Sequence, residues 1–529
     1  MKSAWCAVLA VALCSTAWAR TPDGDEKKKD GDKSASETPS QVEILSAELK
    51  AQRAELEAQR ALIDSLKSNS SVTMSLEGNP VPQGQPGADL RVSFTDGFHL
   101  KSGDDFDLHI GGRVEADYRG IFDRPINLAV TGGNAKVLPD TFFFRELFLS
   151  MDGTLYKDWG FKINGDFSPQ GANSTTPAGQ SATIPENAWV EWKHFDWFRI
   201  MAGQFKSPNE AETLESPLFT EFISRSMMSR FVENFDMGVQ IYGSVADSLF
   251  TYQIAYQDGR DITANSGRGL NDDGDAKEWG ARFTLAPFVQ QKDSPLSGLR
   301  LGVWGSYGHE GNGGRQGAAS GAAVEQYSGN GFQSTEFGVS YIEFAAANYF
   351  LIGRRVREGA ELTYNVGPFE MRGEWMQRRD EYETTAASIH PFVSRMLPIH
   401  AYYMQATVIL TGETKLPDTR ITPKQNFEPW NGGWGAIELG VRWSAVGIGT
   451  DRADDLATAG NIRTMGNSNH NNALTIGENW WFTKNVKWAL NYIHEGYDEG
   501  VFMSDSRGPT GVAHRRNMEG FLSQFQIDF

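Results

Sequence analysis

Cationic side chains recur at alternate positions in this 529-residue chain, several with carboxylates beside them. In "FDLHIGGRVEADY", Asp107, His109, Arg113, Glu115 and Asp117 share one face of an extended strand, because successive strand side chains point to opposite sides. "GFKINGDF" groups Lys162 with Asn164 and Asp166, and "EWGARFTLAPF" groups Arg282 with Glu278 and Thr284. "EMRGEWMQR" groups Arg372 with Glu370, Glu374 and Arg378, and "IELGVRW" groups Arg442 with Glu438. Guanidinium groups present forked donors that fit oxyanions, and a series of them can pass an anion along without trapping it. Covalent catalysis has less support. The nine histidines are scattered, and neither H-E-x-x-H nor G-x-S-x-G occurs, which predicts neither an enzyme nor a cofactor. A hydrolase triad built across strands is the alternative that no linear motif would reveal. Asp272, Asp273 and Asp275 in "LNDDGDAKE" are oxygen ligands at short spacing, but the closing acid of a calcium loop is missing, so the stretch reads as a solvated loop.

The faces opposite those charges are apolar. Leu108, Ile110, Val114, Ala116 and Tyr118 form one such row; Trp279, Ala281, Phe283 and Leu285 form another; Ile437, Leu439, Val441 and Trp443 a third. Strands of this kind also occur in soluble antiparallel sheets. Three features favour a membrane barrel instead. The polar faces are heavily charged, which a water-filled lumen tolerates and a dry core does not. Trp189, Trp192, Trp197, Trp480 and Trp481 stand near strand ends, where a barrel meets headgroups. Long polar stretches such as "ITANSGRGLNDDGDAK" alternate with short turns. The chain ends "SQFQIDF", with Phe521, Phe525, Ile527 and Phe529 on one side, a closing strand whose apolar row faces lipid. No strand edge can stay unpaired in hydrocarbon, so the sheet must close. The expected fold is all-β: a transmembrane antiparallel β-barrel over residues 98–529. At ~9–11 residues per spanning strand it has about 16 strands, with 18 as the alternative.

What precedes the barrel is different in kind. "MKSAWCAVLAVALCSTAWAR" has the charged start, short apolar middle and A-x-A exit of a signal peptide, placed at residues 1–19. Cys6 and Cys14 both fall inside it, so the mature chain would hold no disulfide. Residues 20–40 mix charges without apolar anchors and read as a disordered linker. Over 41–69, Val42, Leu49, Leu56 and Ile63 recur every seven residues, with Leu45, Gln52, Gln59 and Leu66 as the second row. That spacing predicts an α-helical coiled coil, and hence more than one chain. A Pro/Gly linker over 70–97 follows. The net charge of −18 argues against nucleic acid as a partner.

The stretches "GGRVEADY", "FFFRELFLSMDGTLYKDWGFKINGDFS" and "NAWVEWKHFDWFRIMAGQFKSP", with the carboxyl-terminal series "YYMQATVILTGE", "GAIELGVRWS" and "LTIGENWWFTKNVKWALNYIHE", resemble the phosphate-selective porins O and P. The resemblance implies a homotrimeric 16-stranded porin of the Gram-negative outer membrane, surrounded by lipid, with loops folded inward. Its pore bases would conduct small inorganic or organic anions such as phosphate. Arg113 and Arg282 match pore arginines of the family. Arg145 matches the first arginine of a pair whose second position holds Glu146, and strict alternation groups Arg145 with Leu147 and Leu149, so a bulge is needed to turn it inward. Gln204 replaces a basic residue in "GQFKSP", while Lys206 adds one nearby. A Gly-rich loop stands after "LGVWGSYGHE" where the phosphate channels carry arginines, and acids accompany the bases throughout. The expected activity is therefore passive diffusion of small polar solutes, with pore-lining candidates Arg113, Arg282, Arg145, Lys162, Arg372, Arg442 and Lys206. The other reading is a structural envelope protein that uses its coiled coil to trimerise or tether.

Overall fold

Burial in this protein is inverted relative to a soluble one. Arg113, Glu115, Arg357, Asp380, Glu438 and Gln526 are almost wholly buried, while Phe142, Ile163, Val303, Met404 and Ile476 are exposed. In water the opposite sorting holds, because burying a charge is costly and exposing apolar surface is unfavourable. Strands with this pattern need hydrocarbon outside and a polar interior.

The computed structural model describes residues 90–122, 126–127, 136–137, 140–168, 184–232, 234–259, 277–310, 332–333, 340–342, 349–384, 393–449, 469–504 and 512–529. The expected signal peptide, charged linker and heptad helix lie outside them, as do Asp272, Asp273 and Asp275. Within them no helix is long and apolar enough to cross a membrane.

Eighteen strands form the main sheet. A leading hairpin, β1 (Leu90–Phe94) and β2 (Phe98–Ser102), is followed by β3 (Phe106–Ile121), β4 (Thr141–Leu155), β5 (Trp159–Asp166), β6 (Ile184–Phe195), β7 (Phe198–Lys206) and β8 (Phe235–Val245). Then come β9 (Phe250–Gln257), β10 (Glu278–Leu285), β11 (Leu299–Glu310), β12 (Tyr349–Val366) and β13 (Phe369–Thr384). The last are β14 (Ser394–Ile409), β15 (Ala436–Ile448), β16 (His470–Thr483), β17 (Val486–Ser504) and β18 (Val512–Asp528). From β3 to β18 each strand pairs antiparallel with the next, and β18 returns to pair with β3. That is a closed 16-stranded barrel, with β1 and β2 as two extra strands. The 70–97 stretch read as a linker thus contains a strand at Leu90–Phe94, which alternation over so few residues could not announce.

Closure divides one edge of β3 between two partners. Phe106–Ile110 pair with β2, while Arg113–Ile121 pair with β18. Phe529 ends at the junction, where it donates to Gly112 O at 3.0 Å and accepts from Gly112 N at 2.9 Å. Gly112 must lack a side chain, since a Cβ there would stand 2.7 Å from the Phe529 ring and 3.0 Å from Phe148 O. Short turns such as Asp196–Trp197, Gly367–Pro368 and Lys484–Asn485 lie at the same end of the barrel as Phe529. The connection between β14 and β15 lies at this end too and is long.

The interior is not uniformly wet. Leu397, Ile399 and Ala401 of β14, Val446 and Ile448 of β15, Ile493 of β17 and Met518 and Leu522 of β18 are buried in one cluster with Met227, Met228 and Phe231. The expectation of a wholly polar inner face fails there, because a chain segment fills that part of the lumen.

Candidate functional site

The segment is residues 207–232, which follow β7. It contains a one-turn helix α1 (Ala211–Leu214) and a 3-10 turn (Met227–Phe231), and it is pinned to the inner wall by hydrogen bonds from β7, β9 and β13–β17. At the start of α1, the Glu374 carboxylate on β13 accepts from Ala211 N (2.9 Å) and Glu212 N (3.0 Å), and Tyr403 donates to the same carboxylate. At the end of α1, Lys206 Nζ donates to the carbonyls of Thr213 (2.6 Å), Leu214 (3.3 Å) and Glu215 (2.8 Å). Terminal helix carbonyls lack intrahelical partners, and the ammonium satisfies them.

The middle of the segment meets β13–β17. Arg442 Nη1 donates to Glu212 Oε1 at 3.0 Å and Nη2 to Ser224 O at 2.8 Å. Arg372 grips Glu215. Asn491 Oδ1 accepts from Ile223 N at 2.8 Å, Asn479 donates to Glu221 O at 2.8 Å, and Gln405 donates to Glu221 Oε2 at 2.8 Å. Phe222 lies against Gly440 and Gly477, which face each other in the β15–β16 ladder. A Cβ on either glycine would come within 3.0 Å of its ring, and the Arg442 guanidinium covers the ring at 4.7 Å from its centroid.

A second chain segment enters from the short-turn end. The long turn between β14 and β15 carries Lys415 inward, where Nζ stands 2.8 Å from Glu221 Oε1 and 2.5 Å from Glu438 Oε1. Burial alone would lower the Lys415 pKa, but Glu221, Glu438 and Glu370 raise it above the ordinary value, so the ammonium is retained. Glu221 is held low in turn: burial opposes ionisation, and Lys415 and Arg372 overcome it. Burial pushes Glu215 up to about 7, against the pull of Arg372. Glu210 is different. Fully buried, with no hydrogen-bond partner for either carboxylate oxygen among the described residues, it is raised well above the usual range by burial and then by Glu374 and Glu212.

The sequence candidates occupy distinct places in this arrangement. Arg372 and Arg442 clamp the inserted segment, and Lys206 caps its helix. Arg113 binds Glu146 and lies 2.9 Å from Glu115, while Arg282 binds Glu361 with Nε to Oε2 at 3.1 Å. Arg145 is the extra residue where the β3–β4 register shifts between Glu115/Glu146 and Ala116/Phe144, and its Nε reaches Asp117 at 2.5 Å. Such a bulge breaks strict alternation and re-aims one side chain. Lys162 is half-buried on β5 between Asp152 and Trp189 in the ladder, apart from the clamp.

Sequence reasoning missed Glu210, Glu212, Glu215, Glu221 and Lys415, because they sit on loops where period two carries no information. It also missed the apolar inner wall, although a signal existed: "MLPIHAYYM" is apolar on both faces, as a strand covered on both sides must be. Among the described residues, no group of three His, Cys, Asp or Glu side chains is disposed to hold a metal ion.

Porin O of Pseudomonas aeruginosa is 24% identical over 460 residues, covering 84% of this chain and 93% of that relative. Among solved structures, the outer membrane channel DcaP of Acinetobacter baumannii is similar with a TM-score of 0.46 and 11% identity, covering 81% of this chain and 99% of that one. OmpT of Vibrio cholerae is similar with a TM-score of 0.42 and 8% identity, covering 82% and 99%. Residues 110–501 match the family described as "Phosphate-selective porin O and P", and the chain belongs to that family.

Proposed function

We propose that this porin is a passive outer-membrane channel for small polar solutes whose lining carries both signs, with phosphate as one permeant rather than a selected one. The supporting observation is the occupation of its guanidinium groups. Arg113, Arg145, Arg282, Arg372 and Arg442 each hold a carboxylate. A guanidinium paired with a carboxylate attracts a passing oxyanion weakly, because the pair carries no net charge. Arg113, Arg145, Arg282 and Lys162 line the pore wall in this reading, while Arg372, Arg442 and Lys206 set its width by holding residues 207–232 across it. In this reading three copies assemble, with the heptads at 41–69 as the trimerising element.

Planar-bilayer recording tests the reading. Purified protein should conduct in potassium chloride with a small reversal potential across a salt gradient, and millimolar phosphate should leave the chloride current nearly unchanged. Absence of conductance removes the channel; block by micromolar phosphate removes the mixed lining. Deleting residues 41–69 should abolish trimers in detergent while leaving the barrel folded.

A further inference from the structure

The turn between β14 and β15 has two limbs with different environments. Its first limb runs into the lumen, where Lys415 joins Glu221 and Ile421 packs with Ile409, Ala436 and Trp481. Its second limb turns back outward as a small hairpin, Phe427–Glu428 paired with Gly433–Trp434, capped by the 3-10 turn Pro429–Asn431. Trp430 at the tip of that hairpin is 78% exposed, and Trp434 is 55% exposed.

Aromatic contacts make this hairpin continuous with the barrel's outer surface. Phe427 lies edge-on to Trp480 with centroids 5.1 Å apart, and 5.0 Å from Phe482. Trp480 Nε1 donates to Trp434 O at 2.6 Å, and its ring neighbours Trp488 at 6.3 Å. Phe482 in turn reaches Phe525, which is exposed on the closing strand. An indole with an apolar body and a polar N–H is favoured where hydrocarbon meets headgroups, and exposing it to bulk water is unfavourable. Two exposed tryptophans four residues apart form a patch of the kind that marks contact with a membrane or another protein.

We propose that residues 427–434 are a lipid-interface anchor, seated in the phospholipid headgroup layer at the short-turn end. The inference rests on the barrel being membrane-inserted, but not on what the channel conducts. One connection then links the membrane surface, through Trp430 and Trp434, to the Lys415 contact inside the pore.

The test uses the full chain with Cys6 and Cys14 replaced by serine, reconstituted in vesicles of phosphatidylethanolamine and phosphatidylglycerol. Single cysteines carrying a fluorophore replace Trp430, Asp247 on the exposed β8–β9 turn at the same end, and Val303 on the outer barrel wall. Brominated acyl chains should quench the Trp430→Cys label several-fold more than the Asp247→Cys label, and aqueous iodide should show the reverse. Equal, iodide-dominated quenching at both overturns the anchor. Shielding from both quenchers, together with an oxidant-induced disulfide between two copies of the unlabelled Trp430→Cys protein, overturns it in favour of a subunit contact. The Val303→Cys label separates the levels: lipid quenching there with none at position 430 sinks the anchor alone, and none at either sinks the inserted barrel too.

Discussion

Arg442 on β15 reaches Glu212 in the inserted segment, Nη1 to Oε1 at 3.0 Å, and both side chains are buried. The pair joins residues 230 apart in sequence, so it exists only once the barrel has closed and the segment has docked. Removing one member of a buried ion pair costs about 3–5 kcal/mol, because the other charge stays buried and unpaired. Arg442→Met and Glu212→Gln should each undock residues 207–232. The signs are larger single-channel conductance and faster trypsin cleavage within the segment. The double variant should lose less than the sum of the two, and strict additivity would show that the pair is not a unit.

Phe222 depends on the flat patch that Gly440 and Gly477 leave in the wall. Gly477→Val places methyl groups where the ring now lies, and Gly440→Ala brings a Cβ to 2.9 Å from Thr407 Cγ2 and 3.0 Å from Phe222 Cζ. Overpacking of this kind costs roughly 1–3 kcal/mol. Conductance should rise in the order wild type, Gly440→Ala, Gly477→Val, with the barrel's heat-dependent gel shift retained. An unchanged conductance in both variants would mean that the segment does not set the pore width.

Glu210 should make docking pH-dependent. Burial, then Glu374 and Glu212, raise its folded-state pKa above the ordinary 4.5, with Glu361 adding to the rise and Arg225 opposing it. Below about 4.5 the docked and undocked forms both hold the proton, and the contribution to docking is fully present. As pH climbs above 4.5 the undocked carboxyl ionises first, so docking weakens progressively until the raised folded value is passed. Conductance should therefore grow from acid to alkaline pH, and Glu210→Gln should flatten that rise. A slope of the opposite sign in the wild type would contradict the assignment.

Arg282 and Glu361 form a pair within the wall, and Arg282→Ala leaves the carboxylate behind. Cation permeability should increase, read as a shift of the zero-current potential in a potassium chloride gradient. Glu361→Gln should shift it the other way. Equal potentials in all three proteins would place the pair outside the ion path.

The carboxyl terminus is a structural part of the closed sheet. Truncating Phe529 removes two backbone hydrogen bonds to Gly112, and Gly112→Val obstructs the Phe529 ring. Both should lower the yield of folded barrel in vesicle-assisted refolding. Normal refolding of both would leave the junction without a role in closure.

Much of the fold could be read from the residues because the barrel is built from local alternation. Phe283 and Arg282 in β10, or Val441 and Arg442 in β15, show by adjacency alone which side chain faces lipid and which faces the lumen. Arg145 marks the limit: alternation placed it with Leu147 and Leu149, and only the bulge opposite Ala116 turns it to Asp117.

The inserted segment left no comparable trace. "ETLESPLFTEFISRSMMSRF" has no period that says which carboxylate meets which base, because its partners lie on five strands far along the chain. The sequence by itself determined a membrane barrel of about 16 strands, with 18 left open, and the sidedness of most wall residues, since a strand's period of two is a property of neighbouring residues. Only the tertiary structure decided that Arg372 and Arg442 hold a segment rather than face an open pore, and that Lys206 caps a helix. Those outcomes come from three-dimensional proximity after closure, when burial obliges a charge in the lumen to meet an opposite charge or a carbonyl, or to be neutralised by protonation.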